Sequence, residues 1–232
     1  MNAKLSETQY NIYNGLMDWF VGIVPALSYC ILVSFIIFYN QNKISKEKIF
    51  ALAFLLGSAA LIKAEGNIHI LIYLISLLLW LLFFKLNFLK ENKYSICICL
   101  IIITLVSSFT FINLIINDIA IKRFHAFNLE SILYSYQNFH ERYSIILNLF
   151  YISFMKSIIV VVPFFLLLAL NFIKKNYNIF FVFLIPIIFY HLYLALVFNS
   201  VDDKLFFHGT FNSSFVRLYH QIDYFYIFAG II

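Results

Sequence analysis

The chain has 232 residues, of which 63% are hydrophobic, 20% aromatic and only 12% charged, with a mean hydropathy of +0.92. A soluble domain carries about 25% charged residues, so this balance excludes an ordinary soluble fold and points to an integral membrane protein. The net charge of +5 sits mostly in short stretches between apolar runs, which reads as membrane orientation and not as a nucleic-acid surface.

A spanning helix needs ~20 apolar residues. Leu16 to Tyr39 predicts the first span, with Asp18 in its first turn. Ile49 to Ile62 and Asn67 to Phe84 are shorter, and only Lys63 to Gly66 separates them, which predicts a tight helical hairpin. Ile96 to Ile116 predicts a clean span. The 117–157 segment is the longest stretch outside the spans. Its end, Ile145 to Ser157, reads as an amphipathic helix lying in the membrane interface. Leu147, Phe150, Tyr151 and Phe154 form its apolar face, and Asn148, Ser153 and Lys156 its polar positions. Tyr134, Tyr136, Phe139 and Tyr143 suit an aromatic belt at headgroup level. Ile158 to Ile173 and Ile179 to Phe198 predict two more spans, each holding a proline (Pro163, Pro186) whose freed backbone groups neighbouring helices can satisfy. Phe215 to Ile232 is the last apolar run and contains Arg217, His220 and Asp223. The expected fold is all-α: a polytopic transmembrane helical bundle of about seven spans with an outer-face interfacial helix, forming a single transmembrane domain over residues 1–232.

Lysine placement orients the bundle. Segments 40–48, 85–95 and 174–178 hold eight lysines in 25 residues, whereas 1–15, 63–66, 117–157 and 198–214 hold seven Lys or Arg in 77. The dense set is expected to face the cytoplasm, and alternation then puts the N-terminus, the Lys63 turn and the 117–157 segment on the outer face. Residues 1–15 show no basic-then-apolar leader, and an outer N-terminus without a preceding span points to a missing upstream segment. Cys30, Cys97 and Cys99 lie in apolar runs and read as packing residues.

Ionisable groups at the edge of hydrocarbon mark a site by default. Residues Gly57 to Gly66 read Gly-Ser-Ala-Ala-Leu-Ile-Lys-Ala-Glu-Gly, so Lys63 and Glu65 close one apolar helix just before the next begins. A lysine there can bind a lipid phosphate as a point charge while its stem stays in the apolar layer. Glu65 can orient it or bind sugar hydroxyls, and Gly66 permits the sharp reversal. The plainer alternative is a snorkelling lysine beside a paired glutamate. Asp18 closes the phrase Gly15-Leu-Met-Asp18; alone, it reads equally as a helix N-terminal acid worth ~0.3–1 kcal/mol. Near the end, His208 is followed by Ser214, Arg217 and Gln221, where Arg217 is a candidate phosphate ligand or an interfacial anchor.

Taken in order, these three phrases resemble the GT-C superfamily of polytopic glycosyltransferases that use lipid-linked sugars. Members carry Gly-Tyr-Ala-Asp, then a small-residue helix ending Leu-Thr-Lys-x-Glu-Gly, and finally Trp-His-Leu-x-Thr-Ser-x-Asp-Arg-Leu-Leu-x-Gln. Ser214, Arg217 and Gln221 keep the family spacing. Val216 stands where the family has an acid, and His208 lies one residue too far from Ser214. The resemblance runs from Gly15 to Gln221 and is to the later half of enzymes of the RgtA/B/C/D-like or dolichyl-phosphate-mannose-protein mannosyltransferase-like kind. It implies transfer of a sugar from a polyprenyl-phosphate carrier to a cell-envelope glycan or lipid acceptor at a bacterial inner membrane. Asp18 would be the acid of the site, Lys63, Glu65 and Arg217 would hold the carrier phosphate and sugar, and Gly66, His208 and Gln221 would support them. Such enzymes place their principal catalytic acid in a first outer loop, which has no counterpart before Asp18, so the chain is expected to be a fragment of the whole fold.

Other constellations are weaker. Asp202, Asp203 and His208 could offer a divalent metal two carboxylates and an imidazole, but a solvated loop explains them as well, and no cofactor motif is present. His125 and His140 flank the 117–157 segment with Glu130 and Glu141, which interfacial polarity explains. His69 and His191 fall in or beside spans and are expected to hydrogen-bond between helices. The sequence shows no Gly-rich phosphate loop and no Ser-His-Asp pattern. Two rival classes are an O-antigen polymerase or ligase and a transporter or non-catalytic subunit. The first tends to carry more outer-loop arginines than Arg123 and Arg142, and the second tends to show repeats and mid-membrane breaks, of which none is visible.

Overall fold

The computed structural model describes residues 7–37, 46–62, 66–116, 139–199 and 209–231, with side chains at 19–37, 47–62, 66–108, 142–198 and 215–231. It is all-helical, with no strand among the described residues. In chain order the helices are α1 (Glu7–Ile37), α2 (Lys46–Ile62), α3 (Gly66–Phe84), α4 (Leu86–Glu91), α5 (Lys93–Ile116), α6 (Phe139–Ile173), α7 (Tyr177–Asn199), α8 (Gly209–His220) and α9 (Asp223–Ile231). Four of them contain stretches long and apolar enough to cross a membrane: Trp19–Ile37, Gly66–Phe84, Arg142–Ile173 and Tyr177–Phe198. Helices are the economical answer for such sequences, because hydrocarbon leaves no solvent partner for a backbone N–H or C=O.

The packing is inside-out. Ile159 is 84% exposed and Leu196 68%, while Ser28, Ser76, Ser153 and Ser157 are buried. In water such a surface would be an aggregation liability; in lipid it is the expected one. α1 is the most enclosed of the four long helices and packs against α2, α3 and α9. α3 and α6 each pack on α7, and α2 lies between α1 and α5. An aromatic column fills the centre: Tyr29 and Tyr73 have ring centroids 5.0 Å apart, and Phe225 lies 5.9 Å from the first and 5.6 Å from the second. Phe164 reaches the column from α6, 5.1 Å from Tyr226.

Pro186 shows how the bundle tolerates a helix-breaking residue. It has no N–H for the carbonyl one turn earlier, that of Val182. The Tyr29 hydroxyl of α1 donates to that carbonyl at 2.8 Å. The expectation that a neighbour would satisfy a proline-freed group therefore holds at Pro186. At the lower end Trp80 Nε1 donates to the Asn178 carbonyl at 3.1 Å, fastening α3 to the start of α7. The α6–α7 turn closes with Asn176 N–H on the Asn171 carbonyl and Lys175 N–H on that of Phe172. Lys175 takes the left-handed conformation this helix end requires, with φ 60°.

Four expectations are corrected. The amphipathic stretch before Ile158 is not a separate interfacial helix: α6 is unbroken over 35 residues, ~52 Å at 1.5 Å per residue. Its polar positions are divided: Ser153 and Ser157 are buried, whereas Asn148 and Lys156 are exposed together with Tyr151, Ile152 and Phe154. The last apolar run is not one span but two short helices, α8 of 12 residues and α9 of 9, broken at Gln221–Ile222. The lysine-rich 85–95 stretch is helical, as α4 and the start of α5, and not an open loop. Gly66 does not supply a left-handed turn, as no described glycine has positive φ. It allows close approach instead, because a Cβ there would collide with the backbone carbonyl of Ala59. α2 has 17 residues, fewer than any of the four membrane-length stretches, and α5 has 24.

The close approach at Gly66 makes a stability prediction. Gly66→Ala should destabilise the protein by ~1–3 kcal/mol, as overpacking against backbone does. Gly230→Ala, whose Cβ would meet nothing nearer than Leu167 at 3.8 Å, should be neutral or gain up to ~1 kcal/mol from helix propensity. Thermal unfolding of the two variants in detergent compares them; equal midpoints would remove the close-approach role of Gly66.

Candidate functional site

Buried and half-buried polar side chains gather around the break between α8 and α9. The break itself is a tightened turn. Gln221 N–H bonds the Leu218 carbonyl and Ile222 N–H that of Tyr219, both at 3.1 Å, before α9 restarts with Phe225 N–H on the Ile222 carbonyl. Gly22 of α1 seats the turn: a Cβ there would stand 2.7 Å from the Gln221 carbonyl oxygen and 2.8 Å from the Tyr224 ring. Any larger residue would push α1 off the turn.

On the bundle side of the break, His69 Nε2–H donates to Gln221 Oε1 at 2.8 Å. Both side chains are 2% exposed. The Tyr190 hydroxyl donates to the Leu218 carbonyl at 2.6 Å and lies 3.5 Å from the same Gln221 oxygen. Its ring packs 5.0 Å from the His69 ring. His69 Nδ1 and Gln221 Nε2 are buried without a protein partner among the described residues. Such atoms carry a desolvation penalty of ~1–3 kcal/mol each, which marks this network as a polar spot kept inside an apolar bundle.

On the α6 side, His220 Nδ1–H and Ser157 Oγ–H both donate to Asp223 Oδ2 at 2.7 Å, with Ser157 Oγ 3.1 Å from the same ring nitrogen. The break builds this cluster directly. His220 lies in the last turn of α8 and Asp223 in the first turn of α9, so the break sets the two three residues apart and facing each other. The absence of a Ser-His-Asp pattern expected from the sequence is thus corrected. It is not a nucleophile relay, in which the serine would sit on Nε2, opposite the carboxylate. Here the serine and the imidazole share one carboxylate oxygen.

These groups lie at a common depth. At 1.5 Å per residue, Gly22 is ~22 Å from Ile37 along α1, His69 ~22 Å from Phe84 along α3, Ser157 ~24 Å from Ile173 along α6 and Tyr190 ~20 Å from Tyr177 along α7.

Of the sequence-derived site residues, Lys63, Glu65, His208 and the Asp18 side chain lie outside the described residues, as do Asp202, Asp203, His125 and Glu130 and the side chains of His140 and Glu141. Gly66 packs on Ala59, Arg217 is exposed on α8, and Gln221 is the buried acceptor for His69. Of the three phrases only Gln221 takes part in this cluster, and its partners Gly22 and His69 come from residues that follow the other two. Gly22 is one turn past position 18, His69 follows the Lys-x-Glu-Gly phrase in α3, and Gln221 ends the third phrase. His69 fulfils the expected interhelical bond. His191 does not, since its Nδ1–H donates to the Ile187 carbonyl of its own helix while its ring stacks on Phe150 of α6. Gly22, Tyr190 and Ser157 were not legible as site residues. Cys30 is buried, Cys99 half-buried and Cys97 exposed, and all three are free thiols.

No protein-family model, curated protein or solved structure matches this chain. The functional reading therefore rests on residues and geometry.

The His69–Gln221 bond can be weighed by substitution. Gln221→Leu should cost ~1–3 kcal/mol, because it leaves His69 with two buried, unpaired nitrogens. Pairing it with His69→Phe should recover more than ~0.5 kcal/mol of that loss, as coupled neighbours do. Strict additivity of the two single changes in thermal unfolding would dissolve the pair.

Proposed function

We propose that the chain is a membrane-embedded glycosyl-transfer protein of the GT-C type, moving a sugar from a polyprenyl phosphate to a cell-envelope glycan or lipid. One observation carries the reading. Helices that carry or follow the three phrases resembling that superfamily come together at one turn, through the Gly22–Gln221 approach and the His69–Gln221 hydrogen bond. Nothing in their order along the chain requires this. A site assembled from segments far apart in sequence is what a carrier-binding pocket needs.

In this reading the lysine-rich ends face the cytoplasm of a bacterial inner membrane, and the α2–α3 turn faces outward. α2 and α5 cross beside the four long helices, and α8–α9 makes a broken seventh passage. Lys63 neutralises the charge that grows on the departing phosphate, and Arg217 is the second cation in reach of it. Glu65 orients the lysine or the sugar, and Asp18 stands at the acceptor side. Displacement at the anomeric carbon is inverting.

Binding of polyprenyl phosphate to the purified chain in nanodiscs tests the assignment. An ion pair at a partly shielded surface is worth up to ~4 kcal/mol before desolvation. Losing half of that weakens binding by more than about tenfold, which is the expectation for Lys63→Ala. Lys63→Arg should retain part of the affinity, because charge is kept and reach is changed. Unchanged affinity for folded Lys63→Ala would return that lysine to a snorkelling role.

A further inference from the structure

The Ser157–His220–Asp223 cluster has a polarity that the carrier-phosphate site does not use. We propose that His220 is a proton-accepting site for a hydroxyl group carried by a membrane amphiphile, with Asp223 and Ser157 as its positioning residues. The identity of that hydroxyl as the sugar acceptor rests on the glycosyl-transfer reading; the proton-accepting pair stands on its own geometry.

An imidazole whose Nδ1–H is held by a carboxylate has its lone pair on Nε2, and the carboxylate stabilises the cation formed when Nε2 takes a proton. His220 meets the first condition through its 2.7 Å bond to Asp223 Oδ2. Ser157 fixes the carboxylate from a third helix with its own 2.7 Å bond. Exposure is graded as the role requires, with the His220 side chain 36% exposed and that of Asp223 17%. The carboxylate is the more sheltered of the two. Tyr190, Tyr219, Tyr224 and Tyr226 feel the Asp223 charge, and all four are phenols. Arg217 lies one turn before His220 on α8, and Lys156 adjoins Ser157 on α6.

The surroundings select the ligand class. Tyr219, next to His220 in the chain, closes an open groove between α6 and α7 walled by Phe150, Phe154, Ile187 and His191. Ser157 lies one turn past Phe154 on α6. The groove is almost wholly apolar, and the cluster borders it through Tyr219 and Phe154 without lining it. A molecule presenting a hydroxyl there must itself partition into the membrane. In a transfer step the hydroxyl proton passes to His220 Nε2, and the oxygen's electron pair forms the new bond to the anomeric carbon. The carbon–oxygen bond to phosphate breaks at the same time, and its electron pair leaves with the phosphate.

The test uses the full chain in nanodiscs and diethyl pyrocarbonate, an electrophile that reports an available imidazole lone pair. Residue-resolved mass spectrometry should show His220 modified about tenfold faster than His191, whose Nδ1–H is held only by a carbonyl. Asp223→Asn should slow His220 modification by about tenfold, and Asp223→Glu should restore part of it. Protection of His220 in the unaltered protein, or an unchanged rate in folded Asp223→Asn, would overturn the proposal. Should the variants not fold, the imidazole 15N shifts of the unaltered protein decide. A protonated Nδ1 with a bare Nε2 at neutral pH supports the site, and a protonated Nε2 refutes it. Neither readout depends on carrier binding, so failure of the glycosyl-transfer reading and failure of this one are separable.

Discussion

A polar group in hydrocarbon must find its partner inside the protein, and that constraint arranges this bundle. α7 shows it most clearly. Its first turn accepts Trp80 at the Asn178 carbonyl, its proline-freed Val182 carbonyl accepts Tyr29, and its Tyr190 hydroxyl reaches across to the Leu218 carbonyl of α8. Three helices are pinned to it at three depths by bonds from aromatic side chains. Each pairs a large apolar body with one donor, so a single residue fills space and discharges a polar debt. Direct attraction between apolar surfaces contributes little where lipid is as apolar as the partner, which leaves such bonds and close contacts to set the register.

The same constraint fixes the break at Gln221–Ile222. A chain leaving its helical ladder exposes carbonyls and N–H groups that need other partners. The Leu218 carbonyl is met twice, by the Gln221 N–H and by the Tyr190 hydroxyl. Asp223 accepts from two side chains at the start of the next helix. Gly22 lets α1 seal the turn from the other side. The interruption is thus held from α1, α6 and α7, although Asp223 Oδ1 is buried there without a partner among the described residues.

Much of the helical content was legible because apolar run lengths set it. Asn67 to Phe84 and Ile179 to Phe198 each became a helix close to the expected bounds, while Leu16 to Tyr39 falls in a helix that already starts at Glu7 and is described to Ile37. The break was not legible, because no glycine or proline stands at 221–222; it depends on His69 and Ser157, distant in sequence. The amphipathic stretch of α6 misled for a physical reason. A polar stripe at helical spacing marks the wet face of an interfacial helix and equally the buried face of a membrane helix. Ser153 and Ser157 lie on the buried one. For the site, Gln221 was reached through its spacing from Arg217, and His69 through the rarity of histidine in such runs. His220 and Asp223 were visible only as charges disturbing a span. Ser157 was invisible, since serine in an apolar helix usually bonds its own backbone, as Ser28 and Ser76 do here.

The two polar clusters share one mechanical element. Gln221 turns inward to His69, His220 turns toward α6, and the two are consecutive residues at the end of α8. A displacement of the turn large enough to part His69 from Gln221 must also move the His220 backbone. The His220–Asp223 geometry tolerates little of that, because one partner lies in α8 and the other in α9. Ser157 resists it from α6 and Gly22 from α1. Such redundancy is how a fold holds a few polar side chains within a fraction of an ångström of a working arrangement. It also explains why the inward network tolerates unsatisfied atoms at His69 Nδ1 and Gln221 Nε2. Their penalty of a few kcal/mol is offset by positioning a turn that apolar packing alone would leave free to straighten into a single helix.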